Sequence, residues 1–131
     1  MHIQPYSIAD EPALFLMLRE EGDSWSDYHG PQGYKRYQDA LRGSLTYLLY
    51  DGEALCGYAR GHEDHGFGVY IHDLLVRKEH RGRQYGRLLM EQFVKDYPGQ
   101  AVYVLSDVDP YYEKLGYPSV GTVFAVGGIT P

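Results

Sequence analysis

Apolar positions along this chain change their spacing twice. Residues 3–8 alternate loosely and read as a first strand. Asp10 then stands as an N-cap, with Pro12 in the first helical turn. Leu14, Met17 and Leu18 share one helical face, so a helix is predicted from about Glu11 to Glu20 or Glu21, stopped by Gly22. Residues 23–33 carry Gly, Pro, Ser and Asp and read as loop, and residues 34–41 read as a second short helix ending near Gly43. From there the spacing shortens. Residues 45–50 and 53–60 are rich in Leu, Tyr and small apolar side chains, with the hairpin signal Asp51-Gly52 between them. A polar connection over 61–68 leads to a third β-run, 69–76, so three antiparallel strands are expected in succession.

The spacing then returns to the helical one. Gly86, Leu89, Met90, Phe93, Val94 and Tyr97 form the clearest stripe in the chain, with Arg87, Glu91, Gln92, Lys95 and Asp96 on the other side and Pro98-Gly99 as its end. Residues 101–105 are a short apolar run. Following a crossover helix, they are expected to lie parallel to 69–76. Asp109-Pro110 opens a brief helix over 110–115 closed by Gly116, and residues 121–126 are a candidate final strand. The predicted order β, α, α, β, β, β, α, β, α, β describes a mixed α/β (α+β) layered fold. It has a mostly antiparallel sheet, one central β-α-β unit and flanking helices. The 131 residues are one domain's worth, 1–131. Strand alternation predicts that neighbouring His72 and Asp73 point to opposite sheet faces.

Composition narrows the class. No run of about 18 apolar residues exists to span a membrane. The N-terminal Met1-His2-Ile3-Gln4-Pro5 has no basic region followed by an apolar one, so no secretion signal is expected. The single Cys56, in an apolar setting, suggests a reduced thiol and a cytoplasmic location. The net charge of −6 argues against a nucleic-acid partner. Against that background Arg77, Lys78, Arg81, Arg83 and Arg87 gather in one place, which suits a small anionic ligand. Fourteen tyrosines suit either a cleft wall or a Tyr-rich core.

The basic cluster lies on a loop between a strand and a helix. Unpaired N–H groups at a helix start point at an anion and the helix dipole assists, so Arg81-Gly82-Arg83-Gln84-Tyr85-Gly86 reads as a phosphate or pyrophosphate cradle. It lacks the Gly-x-x-x-x-Gly-Lys-Ser/Thr order of a nucleotide-binding P-loop and the three spaced glycines of the dinucleotide fingerprint.

The run from Asp73 through Arg81-Gly82-Arg83-Gln84-Tyr85-Gly86-Arg87 to Leu89 resembles the acyl-CoA motif of the GNAT N-acetyltransferases, Gln/Arg-x-x-Gly-x-Gly/Ala. Arg81 matches its first position and Gly86 its last, while Gln84 stands where the middle glycine is usual. Tyr111-Tyr112-Glu113-Lys114-Leu115-Gly116-Tyr117 resembles the FYxKxGF helix of the same family. The resemblance implies acetyl-CoA as co-substrate, no metal, and a small-molecule or peptide amine as acceptor. It implies that Leu74, Leu75 and Val76 pair with the pantetheine arm, and that Gly82, Arg83, Gln84, Tyr85, Gly86 and Arg87 hold the pyrophosphate with Arg81. Tyr112 would protonate the departing thiolate, with Tyr111 its neighbour and rival. His72 would draw a proton from the amine, and Asp73 would anchor a cationic acceptor. Trp25, Tyr28, His29 and Tyr34 are candidates for an acceptor pocket. The sequence His62-Glu63-Asp64-His65 lacks a cysteine partner and a nearby third ligand for a metal. An acyl-CoA-binding domain without catalysis, a transferase for another acyl group and a homodimer formed through strand edges stay open.

Overall fold

The structure is a computed structural model and describes residues 1–128. The chain forms β1 (His2–Pro5), α1 (Glu11–Glu21), α2 (Ser26–His29), α3 (Tyr34–Gly43), β2 (Leu45–Asp51), β3 (Ala54–Glu63), β4 (Val69–Val76), α4 (Tyr85–Asp96), β5 (Val102–Val104) and α5 (Asp109–Lys114). The strands make one sheet in the order β1-β2-β3-β4-β5, antiparallel throughout except for the parallel pair β4–β5. This is the expected mixed fold. Among the described residues no helix is long and apolar enough to cross a membrane.

Two cores follow from strand alternation. On one face, Leu14, Phe15, Met17 and Leu18 of α1 and Tyr37 and Leu41 of α3 cover Leu48, Leu55, Tyr58 and Leu75. On the other, Leu89, Met90 and Phe93 of α4 cover Tyr47, Leu49, Cys56, Ala59, Val69 and Ile71. Each fully buried Leu, Phe or Met contributes about 1.5–3 kcal/mol, so these stripes fix the helices on the sheet. The predicted cap Asp10 works upstream of α1. Its carboxylate accepts from Ser7 N–H at 2.9 Å and from the Tyr50 hydroxyl at 2.8 Å, which ties the helix start to β2.

Three local expectations are corrected. The hairpin closes at Asp51↔Ala54, so Gly52 and Glu53 form the turn, with Gly52 at φ +62°. The stretch read as loop over 23–33 contains a 3-10 turn, Asp23–Trp25, and the one-turn helix α2. Residues 121–126 form no strand: they run exposed and unpaired. A strand needs a ladder partner to offset its ordering entropy, and glycines at 121, 127 and 128 raise that entropy.

The feature that shapes the site is in the register between β3 and β4. Arg60 pairs with Asp73 and Gly61 with Ile71, so His72 is an extra residue, a β-bulge. On β3, Arg60 and His62 lie on the face of Tyr58, the side of α1 and α3. The His72 ring lies 5.0 Å from the His62 ring, and Asp73 bonds Arg60 at 2.6 Å. His72 and Asp73 therefore share one face, which corrects the opposite-face expectation. Alternation fails there because the bulge consumes one residue without advancing the ladder.

Candidate active site

A wedge opens at the bulge. Parallel pairing runs only from Val69↔Val102 to Ile71↔Val104, and Leu105 N–H donates to the Ile71 carbonyl at 3.0 Å. Strand β4 continues to Val76, so its stretch from His72 onward leaves β5 behind. Along that stretch Leu75 turns into the core beneath α1, while Leu74 and Val76 pack on the α4 side.

Beyond Val76 lies the basic loop. Gly82 has φ +84° and Gln84, the N-cap of α4, has φ +67°. The position where a glycine is usual does demand left-handed backbone, and a glutamine adopts it at a strain of about 1–2 kcal/mol. No side chain caps α4, and the first four amides of a helix have no acceptor within it. The helix start therefore presents unpaired N–H groups beside exposed Arg81, Gly82 and Arg83. Gly86 is buried, and a Cβ there would overlap the Tyr111 hydroxyl, with Leu74 Cδ2 at 3.7 Å. Only glycine lets α5 approach α4 so closely.

The arginines divide into two groups. Arg77 donates from Nε to the Leu55 carbonyl at 2.8 Å and pairs with Glu20. Arg81 donates from Nε to the Val76 carbonyl at 2.9 Å and lies 3.4 Å from Glu21. These two brace the loop against the end of α1. Arg83 is exposed, 3.5 Å from His80, and Arg87 lies 3.8 Å from Glu91 one turn along α4. Arg83 and Arg87 are the side chains at the loop's mouth that are not turned back onto α1.

On the α1–α3 face, Asp73 is buried and fully engaged. It accepts from Arg60 Nε at 2.6 Å, from Tyr37 at 2.6 Å and from Tyr28 at 3.2 Å, and Tyr37 also meets Tyr58 at 2.6 Å. Burial, reinforced by the Asp73 charge, pushes the Tyr28 and Tyr37 phenols upward, so both remain donors. Burial likewise raises Tyr58. Arg60 further donates to Ser44 Oγ at 3.1 Å and lies over the Tyr37 ring, 5.5 Å from its centroid. Asp73 is thus matched inside the protein. A pocket of about 800 Å³ opens beside this network, between α2, α3 and β3, with Asp27, Arg36 and Arg60 among its lining residues.

His72 is half-buried, and its pKa is lowered by burial first and then by Arg60 and His62. Its imidazole is held toward the neutral form that can accept a proton. The two tyrosines of α5 diverge. Tyr112 packs with the α4–β5 cluster and lines a cavity of about 810 Å³ with Met90, Val94 and Val104. Burial, then Asp107, pushes its phenol up to about 12. Tyr111 places its hydroxyl at Gly86, beside Leu74 and the helix start.

The structure thus brings His72 and Asp73 together at the wedge and the loop residues to the start of α4. Of the aromatic candidates, Tyr28 joins the Asp73 network, while Trp25 packs on Tyr28 and Tyr58. Tyr34 packs on Phe15, and His29 lies 3.2 Å from the Gly22 carbonyl. Arg60, Tyr37 and His62 were missed. Each reaches the site through strand register or helix packing, and the only sequence signal was the two-residue spacing of Arg60 and His62 on β3. Among the described residues no group of three His, Cys, Asp or Glu side chains could hold a metal ion.

The parallel pair β4–β5 parts beside the β3–β4 bulge, and the uncapped start of α4 lies beyond the parting: a cleft between two strands with a helix N-terminus of the kind that suits an anion. The model of the acetyltransferase (GNAT) family matches residues 12–117, and the chain belongs to that family. It is 34% identical over 68 residues to the GCN5-related N-acetyltransferase 2, chloroplastic, of Arabidopsis thaliana; the match covers 48% of this chain and 26% of that protein. The chain therefore matches about a quarter of that relative's length. Among solved structures, a GNAT family acetyltransferase from Streptococcus pneumoniae superposes with a TM-score of 0.70 at 20% identity, covering 95% of this chain and 96% of that one. An aminoglycoside antibiotic 6'-N-acetyltransferase from Acinetobacter haemolyticus gives 0.71 at 16% identity over 100% of both chains. At these identities the structures establish a common fold.

Proposed function

We propose that this protein transfers the acetyl group of acetyl-CoA to a primary amine by direct attack. The observation that carries this reading is the wedge between β4 and β5 ending at the uncapped start of α4. The amides from Gly82 to Arg87, with Arg83 and Arg87 beside them, suit the pyrophosphate. The backbone of Leu74, Leu75 and Val76, past the last pairing with β5, suits the pantetheine arm and the thioester carbonyl. His72, held toward its neutral form, takes the proton from the amine as the C–N bond forms. The C–S bond then breaks, and an α5 tyrosine returns a proton to the thiolate. Tyr112 holds the family's position for that role. Tyr111 is favoured by the placement of its hydroxyl at Gly86, so it is the second reading for the acid. Asp73 orients Arg60 and the tyrosines around the amine's approach rather than meeting the acceptor's charge.

Calorimetry with acetyl-CoA and CoA, followed by thiol release across a panel of amines, tests the proposal. Saturable acetyl-CoA binding with amine-dependent thiol release is expected. No binding at millimolar concentration would sink it. Binding without release on any amine would leave an acyl-CoA-binding domain.

A further inference from the structure

Three aromatic rings stand in one register line across the sheet beside the proposed catalytic centre. His62 of β3 pairs with Tyr70 of β4, and Tyr70 with Tyr103 of β5. The Tyr70 and Tyr103 rings stack with centroids 5.3 Å apart and planes 28° apart. The His62 ring meets the His72 ring at 5.0 Å and 61°. The row faces the side of α1 and α3, but those helices pack over Leu48, Leu55, Tyr58 and Leu75. Tyr70 and Tyr103 stay 37% and 38% exposed, high for two stacked rings on a sheet face.

The carboxylates around the row have partners within the protein. Arg60 is held by Asp73 at 2.6 Å. Glu63 accepts from Gly66 N–H at 2.6 Å and from Gln100 Nε2 at 2.9 Å, and Asp64 lies 3.8 Å from His65. In the neighbouring pocket Asp27 is accompanied by Arg36 and Arg60. A polycation would need several free carboxylates in the row, and the row itself offers flat ring faces instead. The row also has a fixed separation from His72: Tyr70 is two residues before it, about 6–7 Å along a strand. A two- or three-atom linker spans that gap.

We infer that His62, Tyr70 and Tyr103 form the acceptor's seat, and that the acceptor is a small arylalkylamine whose ring stacks on the tyrosines while its nitrogen reaches His72. The inference rests on the transferase reading above and names the substrate class for that same centre. The wild-type protein is expected to show a kcat/KM for 2-phenylethylamine about tenfold above that for n-butylamine or spermidine, the worth of one or two well-stacked ring contacts. Tyr70→Leu and Tyr103→Leu, combined, should bring that ratio close to one while the calorimetric Kd for acetyl-CoA stays unchanged. A wild-type ratio near one, a preference for spermidine, or a ratio that survives both substitutions overturns the inference. If none of the three amines is turned over, saturation-transfer NMR of 2-phenylethylamine on the CoA-loaded protein decides. Transfer that is lost in the double variant supports the seat, and absence of transfer refutes it. Failure to bind acetyl-CoA at all would strike the transferase reading instead.

Discussion

Replacing Arg60 with Met removes the guanidinium from a buried carboxylate while keeping much of the apolar stem. The Arg60 and Asp73 side chains are 14% and 6% exposed, and their contact is 2.6 Å. Breaking a buried ion pair from one side costs about 3–5 kcal/mol, because the remaining charge is stranded. Here Tyr37 and Tyr28 still donate to Asp73, at 2.6 and 3.2 Å, so the lower end applies, about 3 kcal/mol. At about 2.1 cal/mol/K per residue, a chain of 131 residues has an unfolding entropy near 0.28 kcal/mol/K, so Tm should fall by about 10 °C. Asp73→Asn should cost less, since Arg60 keeps Ser44 and the Tyr37 ring. The double variant should be more stable than the sum of the single losses predicts, by about 1.5 kcal/mol or more. Urea unfolding followed by far-UV circular dichroism measures all three. An Arg60→Met loss below about 1 kcal/mol, or strict additivity, would refute the claim that the pair is one buried unit.

Other expectations follow from the site. Arg83→Ala should weaken acetyl-CoA binding about fivefold or more in calorimetry, and Arg81→Ala should weaken it less while lowering Tm, because Arg81 is turned onto Val76 and Glu21. Tyr111→Phe and Tyr112→Phe separate the two candidate acids: the true donor should lose about tenfold or more in kcat with little change in KM, read by thiol release. His72 has its pKa lowered, so its neutral form persists below the ordinary value of 6.5 and activity should fall only as pH drops through that lowered pKa. Arg60→Met removes a charge that depresses it, so the acid limb of kcat/KM should move to higher pH, while an unmoved limb would remove His72 as the titrating base.

The sequence makes the helices legible because their stripes are long. Leu14, Met17 and Leu18 and the run from Gly86 to Tyr97 each place several apolar residues on one face, and both helices form where the stripes predict. The loop is legible for a different reason. A strand, a basic Gly-containing turn and a helix are contiguous, so local order carries the whole signal. The acceptor side is not contiguous. Arg60 and Asp73 are 13 residues apart, and Tyr37 lies 36 residues before Asp73. Nothing local announces that they meet.

The bulge decides the rest, and it is a one-residue matter. Tyr70 and His72, two residues apart, share the α1–α3 face by ordinary alternation, opposite Val69 and Ile71 in the α4 core; without the extra residue Asp73 would fall on the α4 side, away from Arg60 and Tyr37. Leaving His72 unpaired puts Asp73 on the same face as His72, Arg60 and His62, and the bulge coincides with the end of pairing to β5. The His72–Asp73 pair on one face and the opening between β4 and β5 thus meet at one place on β4. Strand alternation read from sequence assumes a regular ladder, so it misplaces Asp73 relative to His72. The same reasoning explains Gln84. The motif's glycine signals a left-handed position, and the backbone keeps φ +67° there although the residue has changed. The loop's conformation is held by Gly82, the Arg81 brace onto Val76 and the close packing of Gly86 under Tyr111.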